Sequence, residues 1–241
     1  MRTERERPPR LEALEPRIFL SAVDTYAHEM SGSVKTSYFS LKNFDEGSWE
    51  FTDGRLYVDV VGTTSRSSLK IGKGVALGDV FIDGDLKSFS ASKSDVKGVV
   101  DVIGHVKSVK LEDILDNAGV ELESADKVSL KGGIDGGVLF INDGYTKSLS
   151  IGGSVRNESQ IDIYRFGSVK IKGSLMNSDL SSETDGVGTS LSVGSVQGSD
   201  LGRFVSYSIK GSLIDSTVIL HSFVKKFSVS GNVQSTNIFG D

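Results

Sequence analysis

A short unit recurs through most of this chain. An apolar-x-apolar triplet appears as Leu69/Ile71, Phe89/Ala91, Val109/Leu111, Val128/Leu130, Leu149/Ile151, Val169/Ile171, Leu191/Val193, Tyr207/Ile209 and Phe227/Val229. The first members step by 20, 20, 19, 21, 20, 22, 16 and 20 residues. After many of these anchors a Gly turn leads into a second short apolar stretch, as in "GSLMNSDL", "GSVQGSDL" and "GSLIDSTVIL". A period of about 20 residues limits the possible folds more than any other feature of the chain.

Helical solenoids need longer repeats and apolar residues at helical spacing; here the spacing is two, the period of a strand. The leucine-rich pattern with its buried Asn or Cys is missing. Two or three strands of four to six residues, joined by tight turns, fill one rung of a parallel β-helix. The expectation is an all-β chain, a parallel β-helix or related β-solenoid of about nine rungs with an N-terminal β cap. Nine rungs stacked at ~4.8 Å make a rod roughly 40 Å long. Steps of 16 and 22 depart from the register of a strict hexapeptide left-handed helix and favour a right-handed solenoid. A large β-sandwich made of the same strands is the alternative. Within the repeat, Ile71, Ile151, Ile171, Val193 and Ile209 are expected to point inward.

Three segments follow from this reading: a tail over 1–30, a β cap over 31–67 and repeats over 68–241. In the cap, "YFSLKNF", "WEF" and "RLYVDVV" alternate at strand period, and Trp49, Phe51 and Tyr57 form the bulkiest cluster. The 37% hydrophobic content suits a thin core, and 28 glycines suit many turns. A net charge of −5 argues against nucleic acid as the main partner. The absence of cysteine excludes disulfides, thiolate metal sites and Cys nucleophiles. No apolar run is long enough to span a bilayer. The burst "IFLSAV", Ile18 to Val23, is shorter than the apolar region of an ordinary secretory signal.

The tail differs in composition from everything after it. Residues 1–17 hold five of the ten arginines in the chain, together with all three prolines. It contains "LEPRIFLSA", Leu14 to Ala22, which resembles the LEPR-XLL motif found near the N-terminus of long, repetitive bacterial proteins. Leu14, Glu15, Pro16, Arg17, Leu20, Ser21 and Ala22 match it, and Phe19 stands where the family has its first Leu. The resemblance covers nine residues and implies a sorting or processing element on an exported or surface-associated protein.

Motifs that carry chemistry are scarce. His28, His105 and His221 show no metal-ligand spacing and read as solvent-exposed residues near turns. "KGGIDGGVLF", Lys131 to Phe140, has the Gly-Asp character of calcium-binding loops but occurs once, so it reads as a Gly-rich turn. Ser-x-x-Lys recurs by chance, and neither a G-x-S-x-G elbow nor a Walker loop is present. "DLSSETD", Asp179 to Asp185, is the acidic cluster that could serve a carbohydrate-active site, and it reads as a loop in the 22-residue rung. Lys87, Lys107, Lys127 and Lys147 recur at 20-residue steps and predict a lysine ladder up one corner, soluble and discouraging to lateral pairing.

The expected function is therefore non-enzymatic, with no cofactor: an exported or cell-surface repeat protein acting as a structural or adhesive stalk. Its possible partners are a second copy, end to end through residues 222–239, or a cell-envelope glycan. A self-assembling cytoplasmic scaffold resembling bactofilins, whose Gly- and Val-rich β-helical rungs stack and join end to end, is one alternative. A carbohydrate-active β-helix enzyme is the other.

Overall fold

The anchors of the repeat lie directly above one another. In the computed structural model, which describes residues 27–181, 190–202, 204–220 and 224–240, Leu69, Phe89, Val109, Val128, Leu149, Val169, Leu191, Tyr207 and Phe227 form one parallel, in-register column. The described residues are all β, with no helix, and coil into about nine turns. The parallel stacking excludes the sandwich.

Each turn contributes to three walls. The first wall is the anchor wall, running from Ser68–Ile71 to Lys226–Val229. The second begins with single bridges, Leu77 to Val96 to Ile114 to Ile134, and continues as two-residue strands through Val155, Leu175, Val196, Leu213 and Val233. The third stacks Val58, Val80, Val100, Val120, Leu139, Ile161, Leu180, Leu201, Val218 and Ile238. Alternation along each strand turns these columns inward. Ile71, Ile151, Ile171, Val193 and Ile209 are all buried, as their spacing predicts.

The unequal steps do not disturb the walls. Val169 pairs with Leu191 and Leu191 with Tyr207, although 22 and 16 residues separate them. The short rung turns its first corner with two residues, Gly194 and Ser195, where its neighbours use three. The long rung includes residues 182–189, outside the described residues. Asp179–Ser181, expected in a loop, is a strand of the third wall, because Leu180 takes the inward slot between Ile161 and Leu201.

The N-terminal end is closed by antiparallel strands. Strand β1 (His28–Lys35) pairs along β2 (Phe39–Thr52), which spans two walls. The first part of β2 pairs with β4 (Ser68–Ile71), the second with β3 (Arg55–Thr63). β3 in turn begins the parallel third wall. The strands thus start at His28, inside the segment expected to be tail. His28 lies flat on Trp49, ring centroids 4.4 Å apart, and Tyr38 on Phe51 at 4.1 Å. At the other end Val233 is 54% exposed, Ile238 44% and Phe239 57%.

Candidate functional site

The sorting-motif residues Leu14, Glu15, Pro16, Arg17, Leu20, Ser21 and Ala22 lie outside the described residues, as does His221. His28 sits on strand β1 against Trp49, not at a turn. His105 also lies on a strand, Val99–Val106, where its Nδ1 is 3.0 Å from Ser124 Oγ and its Nε2 is 3.8 Å from Asp126. Within Lys131 to Phe140, the Asp135 carboxylate accepts hydrogen bonds from Arg156 and Asn157. These bonds, the guanidinium's first, hold it below the usual carboxylate range. Among the described residues no three His, Cys, Asp or Glu side chains converge as a metal site.

The corner lysine ladder is broken. Lys87 and Lys107 do stack, since their rungs are 20 residues apart. The next step is 19, so Val128 lies on Val109 and Asp126, not Lys127, takes the corner slot. Lys127 moves onto the first wall beside Ser148. The Asp126 carboxylate then receives Lys147 Nζ from the next rung at 3.2 Å. Counting in twenties puts Lys127 one position out of register. Other inter-rung ion pairs join Glu112 to Lys131 and Asp135 to Arg156, both at 2.7 Å.

Carboxylates collect instead on the third wall. Its outward column reads Asp59, Phe81, Asp101, Glu121, Phe140, Asp162 in successive rungs. Partial burial raises the carboxyls of Asp59 and Asp101 above the ordinary value, and Glu121, one rung away, raises Asp101 further. Glu121 accepts a hydrogen bond from Asn142 at 2.6 Å. The column can attract cations, and its phenylalanines interrupt the repulsion between like charges.

Two buried polar arrangements went unread in the sequence. The first is a serine ladder at the corner between the second and third walls. Ser178, Ser199 and Ser216 each follow a left-handed residue, Asn177, Gly198 and Asp215, with φ of 47°, 56° and 48°. Each hydroxyl donates to the carbonyl two residues back, at 2.9, 2.9 and 2.6 Å. Ser199 and Ser216 also accept the amide of the serine one rung before, at 3.2 and 3.3 Å. The signal was present as a serine after Asn, Gly or Asp in "MNSD", "QGSD" and "IDST".

The second is Tyr207, fully buried in a column that elsewhere holds aliphatic residues or Phe. Its hydroxyl faces the carbonyls of Gly202 (2.8 Å) and Ile219 (2.7 Å) and accepts the Phe204 amide at 2.9 Å. Burial pushes its phenol up to about 12. Phe166, Phe204, Tyr207 and Phe227 run ring to ring through this half of the core, with centroids 5.2 to 5.4 Å apart. These groups bind the stack together, and all but the half-buried Phe227 are shut away from solvent.

No protein-family model matches the chain, and neither a curated protein nor a solved structure matches it.

Proposed function

We propose that the chain is a non-enzymatic structural rod, exported or displayed at the cell surface as a stalk. The observation that carries this reading is the unbroken pairing of the first wall, in register from Leu69 to Phe227 across rungs of 16 to 22 residues. Such a stack holds its two ends at a fixed separation, which is what a stalk requires. The LEPR-like tail supports export. Labelling of intact cells that produce the protein tests the proposal, using an antibody against the solenoid. Label on unpermeabilised cells, lost on deletion of residues 1–30, is the expected result. Label only after permeabilisation would overturn it in favour of a cytoplasmic scaffold.

A second reading, end-to-end association, is favoured by the exposed apolar side chains of the last described rung, Val233, Ile238 and Phe239. At the opposite end the edge strand β1 is bulged at Gly32 and carries Lys35, features that discourage strand addition. The association would therefore join two C-terminal rungs.

A further inference from the structure

Seen from outside, the first wall has an unusual composition. Between its two inward anchors stands a lysine or a serine in every rung. Immediately after the second anchor come Lys131, Gly152, Lys172, Gly194 and Lys210 in five successive rungs; in the short rung Gly194 already stands at the corner, its amide donating to the Gly173 carbonyl at 2.9 Å. These two columns hold six lysines and one carboxylate, Glu112, on a chain whose net charge is −5. They contain no aromatic residue and no arginine.

The glycines are as significant as the lysines. A Cβ at Gly152 would collide with the Lys131 carbonyl, and one at Gly194 with the Gly173 carbonyl. Glycine thus lets these rungs pack closely on the ones before them, and with no side chain there the wall dips beside the lysines. Two shallow depressions lie there: one between Lys131 and Lys172 over Gly152, the other between Lys172 and Lys210 over Gly194. Serine hydroxyls line both, at Ser129, Ser150 and Ser192. Lys131, Lys172 and Lys210 are exposed, Lys131 also holding Glu112 at 2.7 Å, and at two rungs each they stand about 9.6 Å apart along the stack.

We propose that this wall binds an extended acidic polysaccharide, a β-1,4-linked uronate chain lying along the stack. Such a ribbon turns the same carboxylate to one side at every second sugar, a repeat similar to two rungs. The ammonium groups meet the carboxylates as point charges, and the glycine floors leave room for a sugar ring between them. Serine hydroxyls donate to and accept from sugar hydroxyls. Nucleic acid fits less well. The wall has no aromatic platform for bases and no guanidinium fork for phosphate. The inference stands on this wall alone, wherever the protein resides.

Calorimetric titration of the full chain with polymannuronate at about 0.15 M ionic strength tests it. A neutral β-1,4-mannan oligosaccharide and oligothymidylate serve as comparators. Two triple variants remove the same charge from different places. Lys131→Ser, Lys172→Ser and Lys210→Ser put on the wall the residue it already uses elsewhere. Lys87→Ser, Lys107→Ser and Lys147→Ser act on the corner. The expected result is polymannuronate binding that weakens with added salt, with no binding of the neutral chain. The wall triple should weaken it about tenfold or more, and the corner triple by less than about threefold. Absence of polymannuronate binding, equal losses in the two triples, or equally tight oligothymidylate binding would each overturn the proposal.

Discussion

At the scale of single residues, the solenoid separates positions with sharply different tolerance. Ile171 is 1% exposed between Ile151 and Val193, in a core one side chain deep from each wall. A carboxylate there has no partner and no route to water, so Ile171→Asp should cost about 4 kcal/mol or more. Lys87→Asp, on an exposed corner, should stay within about 0.5 kcal/mol. Thermal melts of the two variants check the inward assignment; similar losses would refute it. Tyr207 adds a pH-dependent term. Its folded value, about 12, lies above the ordinary phenol value of 10.0, so the folded state holds its proton more tightly. That contribution is complete below pH 10 and is lost as pH rises from 10 through 12, by roughly 2–3 kcal/mol in all. Tyr207→Phe strands the Phe204 amide and should cost about 1–3 kcal/mol at neutral pH. The gap between the two proteins should then narrow as pH climbs from 10 toward 12, with lysine titration common to both. A gap that stays constant would mean the phenol is not held as described.

At the scale of elements, the walls are held together as much by corners as by strands. Strands of the second wall are only two residues long, too short to fix register by backbone bonds alone. The serine ladder supplies bonds at the adjoining corner. Ser199 both satisfies the Gln197 carbonyl and receives the Ser178 amide, so Ser199→Ala should cost about 1–2 kcal/mol. Chemical denaturation measures this directly, and an unchanged midpoint would show the hydroxyl to be dispensable. These corners also mark the boundary of what was legible in the sequence. The anchors were legible because a buried β column leaves an apolar-x-apolar trace that no surface constraint erases. All nine stack as their spacing predicts, and the inward isoleucines with them. The corner lysines were not, because one 19-residue step displaces a single rung before the 21-residue step that follows restores the register, and a solvent-facing Lys127 carries no burial signal to reveal the slip. Tyr207 passed as one more bulky anchor, since nothing in "YSIKG" indicates that its hydroxyl would find two carbonyls and an amide. The lysine and serine wall was hidden for a related reason. Its members are spread through the chain and become a surface only once the rungs are stacked.

At the scale of the whole molecule, each rung is stabilised by the rungs on either side of it, so the stack behaves as a one-dimensional array with its weakest member at an end. Association through the C-terminal rung would strengthen that member. Leu213 donates its amide to the Asn232 carbonyl, which turns the Val233 amide away from the stack. Val233→Pro should therefore remove an edge donor while leaving the rung beneath it paired. Sedimentation velocity over a range of concentrations should show reversible dimers for the parent chain and not for this variant; a strict monomer in both would refute end-to-end pairing. The central claim, that the repeats form one parallel stack, is tested most directly by residue-resolved hydrogen exchange on dilute protein. Protection should be greatest in the middle rungs, from Val128 to Ile171, and should decline toward Lys226–Gly240, where a partner lies on one side only. Protection grouped instead in sequence-adjacent hairpins, or ending abruptly inside the repeat, would contradict a single stack.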